Sequence, residues 1–157
     1  MHLERQIAIH APAETVWRCL TEFDLRKRWM AQLVSEDIEN SESRGVGSVA
    51  NVRMLQNNQM VTYRSTVIDW EPGRKLSVGM TGGTLPPDIV MGVVYELLSD
   101  DGSGVTVLKY DFHMPVKGFF MRLIKPLIRM GVGQVVDRDH AQLKALAEKL
   151  VAEPSGE

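Results

Sequence analysis

The chain has 157 residues, of which 44% are hydrophobic and 24% charged, a composition typical of one globular domain with a buried core. A formal net charge of −2 at pH 7 argues against nucleic acid as the main partner, because phosphate-binding domains carry a basic excess. The single cysteine, Cys19, excludes an intrachain disulfide, and no stretch approaches the roughly 20 apolar residues that a membrane-spanning helix needs.

The first 30 residues predict one strand followed by two short helices. Apolar and polar residues alternate from Leu3 to His10, which is typical of a strand. Pro12 ends the strand and can open a helix over residues 13–20, and Asp24 can cap a second helix that reaches Met30. The charges in this N-terminal segment are unlike a signal peptide, so we expect a cytoplasmic protein.

In the middle of the chain, apolar and polar residues alternate with a period of two, and this pattern predicts six further strands. The predicted strands are Leu33–Asn40, Gly47–Gln56, Met60–Glu71, Lys75–Thr81, Ile89–Ser99 and Gly104–Met114. Most connections between them are short and rich in turn-forming residues, such as Asn57-Asn58 and Asp100-Asp101-Gly102, which favours an antiparallel meander. The longer loop from Gly82 to Asp88 is rich in glycine and proline, and we expect it to form a rim or a lid.

The last predicted element is a helix from about Lys117 to Ala152, with apolar residues at helical spacing. Pro126 should kink this helix or divide it, and Gly131 and Gly133 indicate a close approach of the helix to the sheet or to a ligand. A run of strands followed by a terminal helix predicts an α+β fold, in which a curved antiparallel sheet wraps around that helix.

Four stretches of the chain together carry a family pattern. The entry segment IHAPAETVWRCLTEFDLRKRWM, residues 9–30, contains Pro12, Val16, Trp17 and Trp29. The other three are the glycine turn Gly45-Val46-Gly47, the hairpin VIDWEPGRKL at residues 67–76 and the helix end DRDHAQLKALAE at residues 137–148. These stretches resemble the SRPBCC superfamily, the START and birch-pollen-allergen-like group, and are closest to its polyketide cyclase/dehydrase and lipid transport subgroup.

This resemblance spans nearly the whole chain and implies a helix-grip fold. Such a fold has a seven-stranded curved sheet around a long C-terminal helix, two short helices after the first strand, and a hydrophobic cavity between sheet and helix. We therefore expect one domain over residues 1–152 and a disordered tail over residues 153–157.

The charged residues of each strand indicate which face points away from that cavity. In the last strand, Lys109, Asp111 and His113 share the outer face, which leaves the alternate residues inside. The ligand-binding candidates selected in this way are Met54, Tyr63, Met80, Met91, Val93, Tyr95, Tyr110 and Phe112, together with Leu123 and Leu127 of the terminal helix. Tyrosines among methionines suit an apolar ligand that carries one or two oxygens, although ordinary core tyrosines that reach water would give the same pattern.

Catalytic motifs are sparse. The four histidines have no metal-binding spacing and there is no glycine-rich phosphate loop, so we expect neither a metal nor a cofactor. Cys19 lies beside apolar residues and is typical of a packed side chain. Asp111 and His113 are the remaining acid/base candidates, but their outer position favours a solvated charge pair over a catalytic one. The sequence leaves open whether the protein is an enzyme.

The start of the terminal helix is both basic and apolar. Lys117, Arg122, Lys125 and Arg129 alternate with phenylalanine, methionine, leucine and isoleucine. Such a helix can lie on an anionic membrane surface; alternatively, its apolar side packs on the sheet and its cations form a solvated rim.

Three functions remain open at this point. The preferred hypothesis is binding or transport of a hydrophobic small molecule, such as a lipid, an isoprenoid or an aromatic polyketide. The resemblance also implies a metal-free polyketide cyclase or dehydratase, which would need polar groups converging inside the cavity with at least one shifted pKa. The strand pattern places no such set inside. A third hypothesis is a regulatory protein-interaction domain with a collapsed cavity.

Overall fold

A computed structural model of the chain describes residues 1–39, 44–99 and 102–153. Its strands are β1 His2–Ile9, β2 Leu33–Ile38, β3 Val49–Gln56, β4 Gln59–Glu71, β5 Lys75–Thr81, β6 Met91–Ser99 and β7 Thr106–His113. Its helices are α1 Ala13–Thr21, α2 Phe23–Trp29 and α3 Phe119–Ala152. The strands form one antiparallel sheet in the order β1-β7-β6-β5-β4-β3-β2. The predicted α+β helix-grip fold is therefore confirmed.

The boundaries differ from the prediction mainly at strand ends, where alternation continues beyond the hydrogen-bonded pairs. Asp24 does not cap α2: the cap position is Glu22, which makes no side-chain cap bond, and Asp24 lies in the first turn, where its charge suits the helix dipole. Asn40, the Asp100-Asp101 part of a predicted turn, and residues 154–157 of the predicted tail lie outside the described residues.

The connection between β3 and β4 shows how local chemistry sets the meander. Asn57 and Asn58 have φ angles of 50° and 62°, and Gln56 pairs directly with Gln59. Two consecutive residues with positive φ form the tight turn whose twist matches that of a hairpin, and asparagine tolerates this region better than most residues.

The loop after β5 is fastened to the sheet. The backbone N–H of Thr84 donates to the carbonyl of Thr62 at 2.9 Å, and the N–H of Thr62 donates to the Thr84 hydroxyl at 3.0 Å. Gly83 allows this approach, since a Cβ there would lie 2.1 Å from the Thr62 carbonyl oxygen. The loop is therefore hydrogen-bonded to β4, and neither the rim nor the lid predicted for it is excluded by these contacts.

Helix α3 runs through Pro126 as one element, so the proline does not divide it. The close approach predicted at the glycines occurs at Gly133, where a Cβ would lie 2.9 Å from the Arg5 guanidinium of β1, while a Cβ at Gly131 would meet open space. Arg5 also bonds Asp137 of α3 at 2.7 Å, which ties the helix to the edge of the sheet.

The best-packed part of the core lies under the C-terminal half of α3. The main backbone approaches of α3 are to α1, α2 and β1. Side chains that are 2% exposed or less meet there: Ile9, Val16, Leu20, Leu108 and Leu143. Burying such side chains contributes about 1.5 to 3 kcal/mol each, so this end of the helix fixes its position.

We predict that the two halves of α3 respond differently to leucine truncation. Leu143→Ala should lower the free energy of unfolding by about 2 to 5 kcal/mol, because it opens a cavity at a fully buried site. The matched variant Leu127→Ala, at a residue 66% exposed on the same helix, should change it by about 0.5 kcal/mol or less. Urea denaturation followed by circular dichroism measures both. Equal losses in the two variants would contradict this packing.

Candidate functional site

The strand candidates lie on the concave face, as their alternation predicted. One apolar cluster contains Met80, Met91, Val93, Tyr95, Tyr110 and Phe112. Met54 belongs to a neighbouring cluster on which Tyr63 packs, and the Tyr63 hydroxyl donates to the Met54 sulfur at 3.4 Å. Many of these side chains are only partly buried, so they border the space between sheet and helix and do not fill a solid core.

The two candidates from α3 are not part of this surface. Leu123 and Leu127 are 63% and 66% exposed. The α3 residues that pack on the concave cluster are Ile128, Val132 and Val136. Leu123 and Leu127 therefore do not face the concave cluster, because helical spacing defines an apolar stripe but not which of two apolar stripes faces the sheet.

A histidine that the sequence analysis did not select joins two of the tyrosines. Tyr95 and Tyr110 are directly opposed on β6 and β7, with ring centres 5.3 Å apart. The His140 ring of α3 lies edge-on to Tyr110 at 4.7 Å and 6.2 Å from Tyr95. The position of His140 between Val136 and Leu143 on the buried face of α3 is the sequence signal that could have revealed it.

Burial determines the protonation of this group. It lowers the pKa of His140 to about 4, so the imidazole is neutral near pH 7. Burial also raises the pKa of Tyr95 and of Tyr110, so both hydroxyls keep their protons. The cluster therefore offers neutral donors and acceptors on an otherwise apolar wall.

Asp139 adds a carboxyl next to this histidine. It is buried, and it accepts a bond from the backbone N–H of Ala31. Its Oδ1 atom has no hydrogen-bond partner among the residues that the structure describes. Burial raises the pKa of this carboxyl, because an ion loses hydration there.

A second polar group, also missed from sequence, lies at the β2 end of the interior. Glu36 of β2, whose side chain is 4% exposed, is ion-paired with Arg26 of α2 and with Arg44, the latter at 2.6 Å. Arg44 also donates to the Thr21 carbonyl. Two guanidinium groups around one carboxylate leave the group with a net positive charge.

Arg26 links this group to the tyrosines. Its charge favours the ionised forms of Tyr63 and Tyr95, although burial dominates and raises both pKa values. Burial, and next the charge of Arg44, lower the pKa of Arg26 to about 10. Its Nε atom is buried and lacks a hydrogen-bond partner within residues 1–39, 44–99 and 102–153. This N–H is a donor available to an incoming oxygen.

The cavity beside Arg26 is small in this conformation. Its volume is about 40 Å³, which holds only a few water molecules. Apolar residues such as Val67, Trp70 and Val78 line it together with Arg26 and Glu36. A larger guest requires the surrounding side chains to move.

The weak acid/base candidates lie on the opposite side of the sheet. His113 is exposed, and Asp111 contacts His2 on the convex face. His2, Glu4 and Asp111 place ligand-type atoms within 4.8 Å of one another, but exposed acidic groups of this kind are common without an ion. Cys19 is buried, and burial raises its thiol pKa to about 11, so it is a packed side chain and not a nucleophile.

Comparisons with known proteins agree with this architecture. The sequence profile of the family described as polyketide cyclase / dehydrase and lipid transport matches residues 1–148. A search of curated proteins returned no significant match.

Similar solved structures show the same fold at low sequence identity. The Zhui aromatase/cyclase from Streptomyces sp. R1128 has a TM-score of 0.74 at 19% identity, covering 100% of this chain and 99% of that one. A START superfamily protein from Mycobacterium smegmatis has a TM-score of 0.74 at 15% identity, covering 95% and 98%. Ara h 8.0201 has a TM-score of 0.65 at 15% identity, covering 97% of each chain.

We predict that His140 makes the fold sensitive to mild acid. Its pKa is about 4 in the folded protein, against 6.5 for a histidine in water, so between these values the unfolded chain binds more protons. Stability contributed by the neutral imidazole is therefore present above pH 6.5 and is lost as the pH falls towards 4. Between pH 7 and pH 4.5, this titration should lower the free energy of unfolding by about 2 kcal/mol.

The measurement is urea denaturation at pH 7 and pH 4.5 for the wild type and His140→Gln. The variant should lose about 1 to 2 kcal/mol less than the wild type over this interval, whatever its stability at pH 7. His10→Gln, at an exposed histidine, is the matched control and should keep the wild-type pH dependence. Parallel pH profiles for the wild type and His140→Gln would show that His140 is not held neutral by burial.

Proposed function

Because the chain belongs to the polyketide cyclase/dehydrase and lipid transport family, we propose that it binds a hydrophobic small molecule that carries at least one oxygen. The guest lies between the concave face of the sheet and α3. The observation that carries the proposal is the presence of interior donors from Tyr95, Tyr110 and Arg26, of which the two tyrosines lie among apolar side chains.

The apolar part of the guest completes the burial of side chains that the fold leaves partly exposed. Met80, Met91 and Val93 are only partly buried, although they lie on the inner face. Methionine side chains are unbranched and adapt to irregular shapes, so Met80 and Met91 can move aside to admit a guest against the concave face. Completing their burial supplies the driving force, at roughly 25 cal/mol per Å² of apolar surface.

The polar part of the guest is recognised by groups that have unused donors. The tyrosine hydroxyls remain protonated, and the Nε atom of Arg26 is buried without a partner within the described part of the chain. A carbonyl, hydroxyl or carboxylate oxygen satisfies such a donor, and satisfying a buried polar group is worth about 1 to 3 kcal/mol. The ligand class is therefore an apolar skeleton with one oxygenated end.

Mass spectrometry of the intact protein tests this proposal directly. Gently purified protein should carry co-purifying material that is extractable into organic solvent. Protein that arrives free of ligand and binds no hydrophobic probe would contradict the proposal.

A matched pair of probes tests the role of the tyrosines. We predict that the protein binds 1-naphthol more tightly than naphthalene, and that Tyr95→Phe or Tyr110→Phe reduces this preference about fivefold or more while naphthalene affinity stays within about twofold. Fluorescence titration measures the six affinities of the wild type and the two variants for the two probes. An unchanged preference in both variants would remove the tyrosines from ligand recognition.

Polyketide cyclisation is the second candidate, and one observation favours it. His140, Tyr95 and Tyr110 form the convergent interior set that the sequence analysis did not find. In such a reaction the imidazole would take a proton from a carbon between two carbonyls, while a tyrosine hydroxyl donates to the carbonyl oxygen that becomes an enolate. A base whose conjugate acid has a pKa of about 4 is weak near pH 7, so binding remains the first proposal.

Turnover distinguishes the two proposals. If the protein only binds, aromatic product should form from a synthetic poly-β-ketone at the same rate with the wild type, with His140→Gln and without protein. Faster product formation with the wild type, lost in His140→Gln but kept in His10→Gln, would favour the cyclase. Absorbance of the aromatic product provides the readout.

A further inference from the structure

The first three turns of α3 expose an apolar stripe. Its residues and exposed fractions are Phe119 80%, Phe120 70%, Leu123 63%, Leu127 66% and Met130 58%. Most of them follow helical spacing and so share one side of the helix. We name this set the apolar stripe of α3.

The opposite side of the same turns faces the protein. Ile128 and Val132 pack on the concave cluster that includes Met91 and Tyr110. The apolar stripe is therefore a second apolar surface of one helix segment. Contiguous exposed apolar surface of this kind marks an interaction site more often than scattered exposed residues do.

Positive charge is concentrated around the stripe. Residues 112–136 contain Lys117, Arg122, Lys125 and Arg129 and no Asp or Glu, whereas the whole chain has a net charge of −2. Arg122, Lys125 and Arg129 lie at helical spacing along one flank of the stripe. None of the four cations belongs to an ion pair with another residue of the described ranges.

We propose that this surface binds an anionic lipid bilayer. The charge and the shape of the surface both fit such a bilayer. Phenylalanine and leucine side chains insert below the headgroups, while the flanking arginines and lysines reach phosphate and carboxylate groups. None of the described helices is both long and apolar enough to cross a membrane, so α3 lies in the plane of the interface. Two binding signals, apolar insertion and a basic flank, are what a reversible membrane contact requires.

The apolar stripe and the concave cluster lie on opposite sides of the same helix segment. Since the other side of these turns packs on the concave cluster, docking brings bilayer lipids against the helix segment that covers this cluster. The inference nevertheless stands apart from the proposed ligand binding, because bilayer attachment needs only the outer surface of α3.

Vesicle co-sedimentation tests the proposal. The probes are vesicles of phosphatidylcholine alone and of phosphatidylcholine with about 30 mol% phosphatidylserine, which gives a negative surface. The wild type should pellet with the anionic vesicles at low salt, should bind the neutral vesicles at least about tenfold more weakly, and should be released at high salt. Absence of sedimentation with the anionic vesicles at low salt overturns the proposal.

Two double variants separate the two signals. Arg122→Glu with Arg129→Glu, and Phe120→Ser with Leu127→Ser, should each weaken partitioning onto anionic vesicles about tenfold or more. Lys109→Glu with Lys149→Glu makes the same charge change at exposed lysines elsewhere and should lose less than about threefold. If the lysine control loses as much as Arg122→Glu with Arg129→Glu, the effect is one of net charge, and the stripe is overturned as the binding surface.

Folding and self-association are controlled in the same samples. Because the substituted side chains are exposed, the circular dichroism spectra and urea midpoints of the variants should remain those of the wild type. A double variant that fails this check is replaced by the single substitution Arg129→Glu or Leu127→Ser. Sedimentation velocity without vesicles should show no dimer that depends on the stripe. A wild-type dimer that Phe120→Ser with Leu127→Ser dissociates, with no vesicle binding, would assign the stripe to a second copy of the chain and overturn the lipid proposal.

Discussion

A twisted seven-stranded sheet has one concave apolar face, and α3 is the long element that covers it. Its 34 residues span about 50 Å, whereas the eight residues of β7 span roughly 27 Å. The helix is therefore longer than the strands beneath it. Its C-terminal half is fixed by fully buried side chains such as Leu143, and its N-terminal half keeps one side on the sheet while the other side stays exposed. This uneven contact underlies both the incomplete burial of the concave cluster and the exposed stripe.

Burial and pairing set the chemistry of the interior. Glu36 is almost completely buried and is tolerated there because two guanidinium groups neutralise it. Burial keeps His140 neutral instead. The interior thus combines one positive group with neutral hydroxyl and imidazole groups and the buried Asp139 carboxyl, which suits an oxygenated apolar guest.

Period-two patterns were enough to predict the strands and their faces. Lys109 and Glu96 mark the convex side, and a one-residue error would have reversed every assignment on their strands. The rotation of α3 was not predictable, because Leu123 and Ile128 belong to two apolar stripes that the sequence does not rank. Nor was the pairing of Arg26 with Glu36, or of His140 with Tyr110, since each partner lies on a different element and ordinary surface residues show the same local pattern.

Binding of an apolar guest requires the space between the sheet and α3 to open. Methyl NMR of the nine methionines during titration with 1-naphthol reports such an opening. We expect saturable shifts of Met80 and Met91 on the concave face, with Met60, which is exposed on β4, unchanged. Shifts confined to exposed methionines such as Met60 and Met130, with Met80 and Met91 unmoved at saturation, would contradict it.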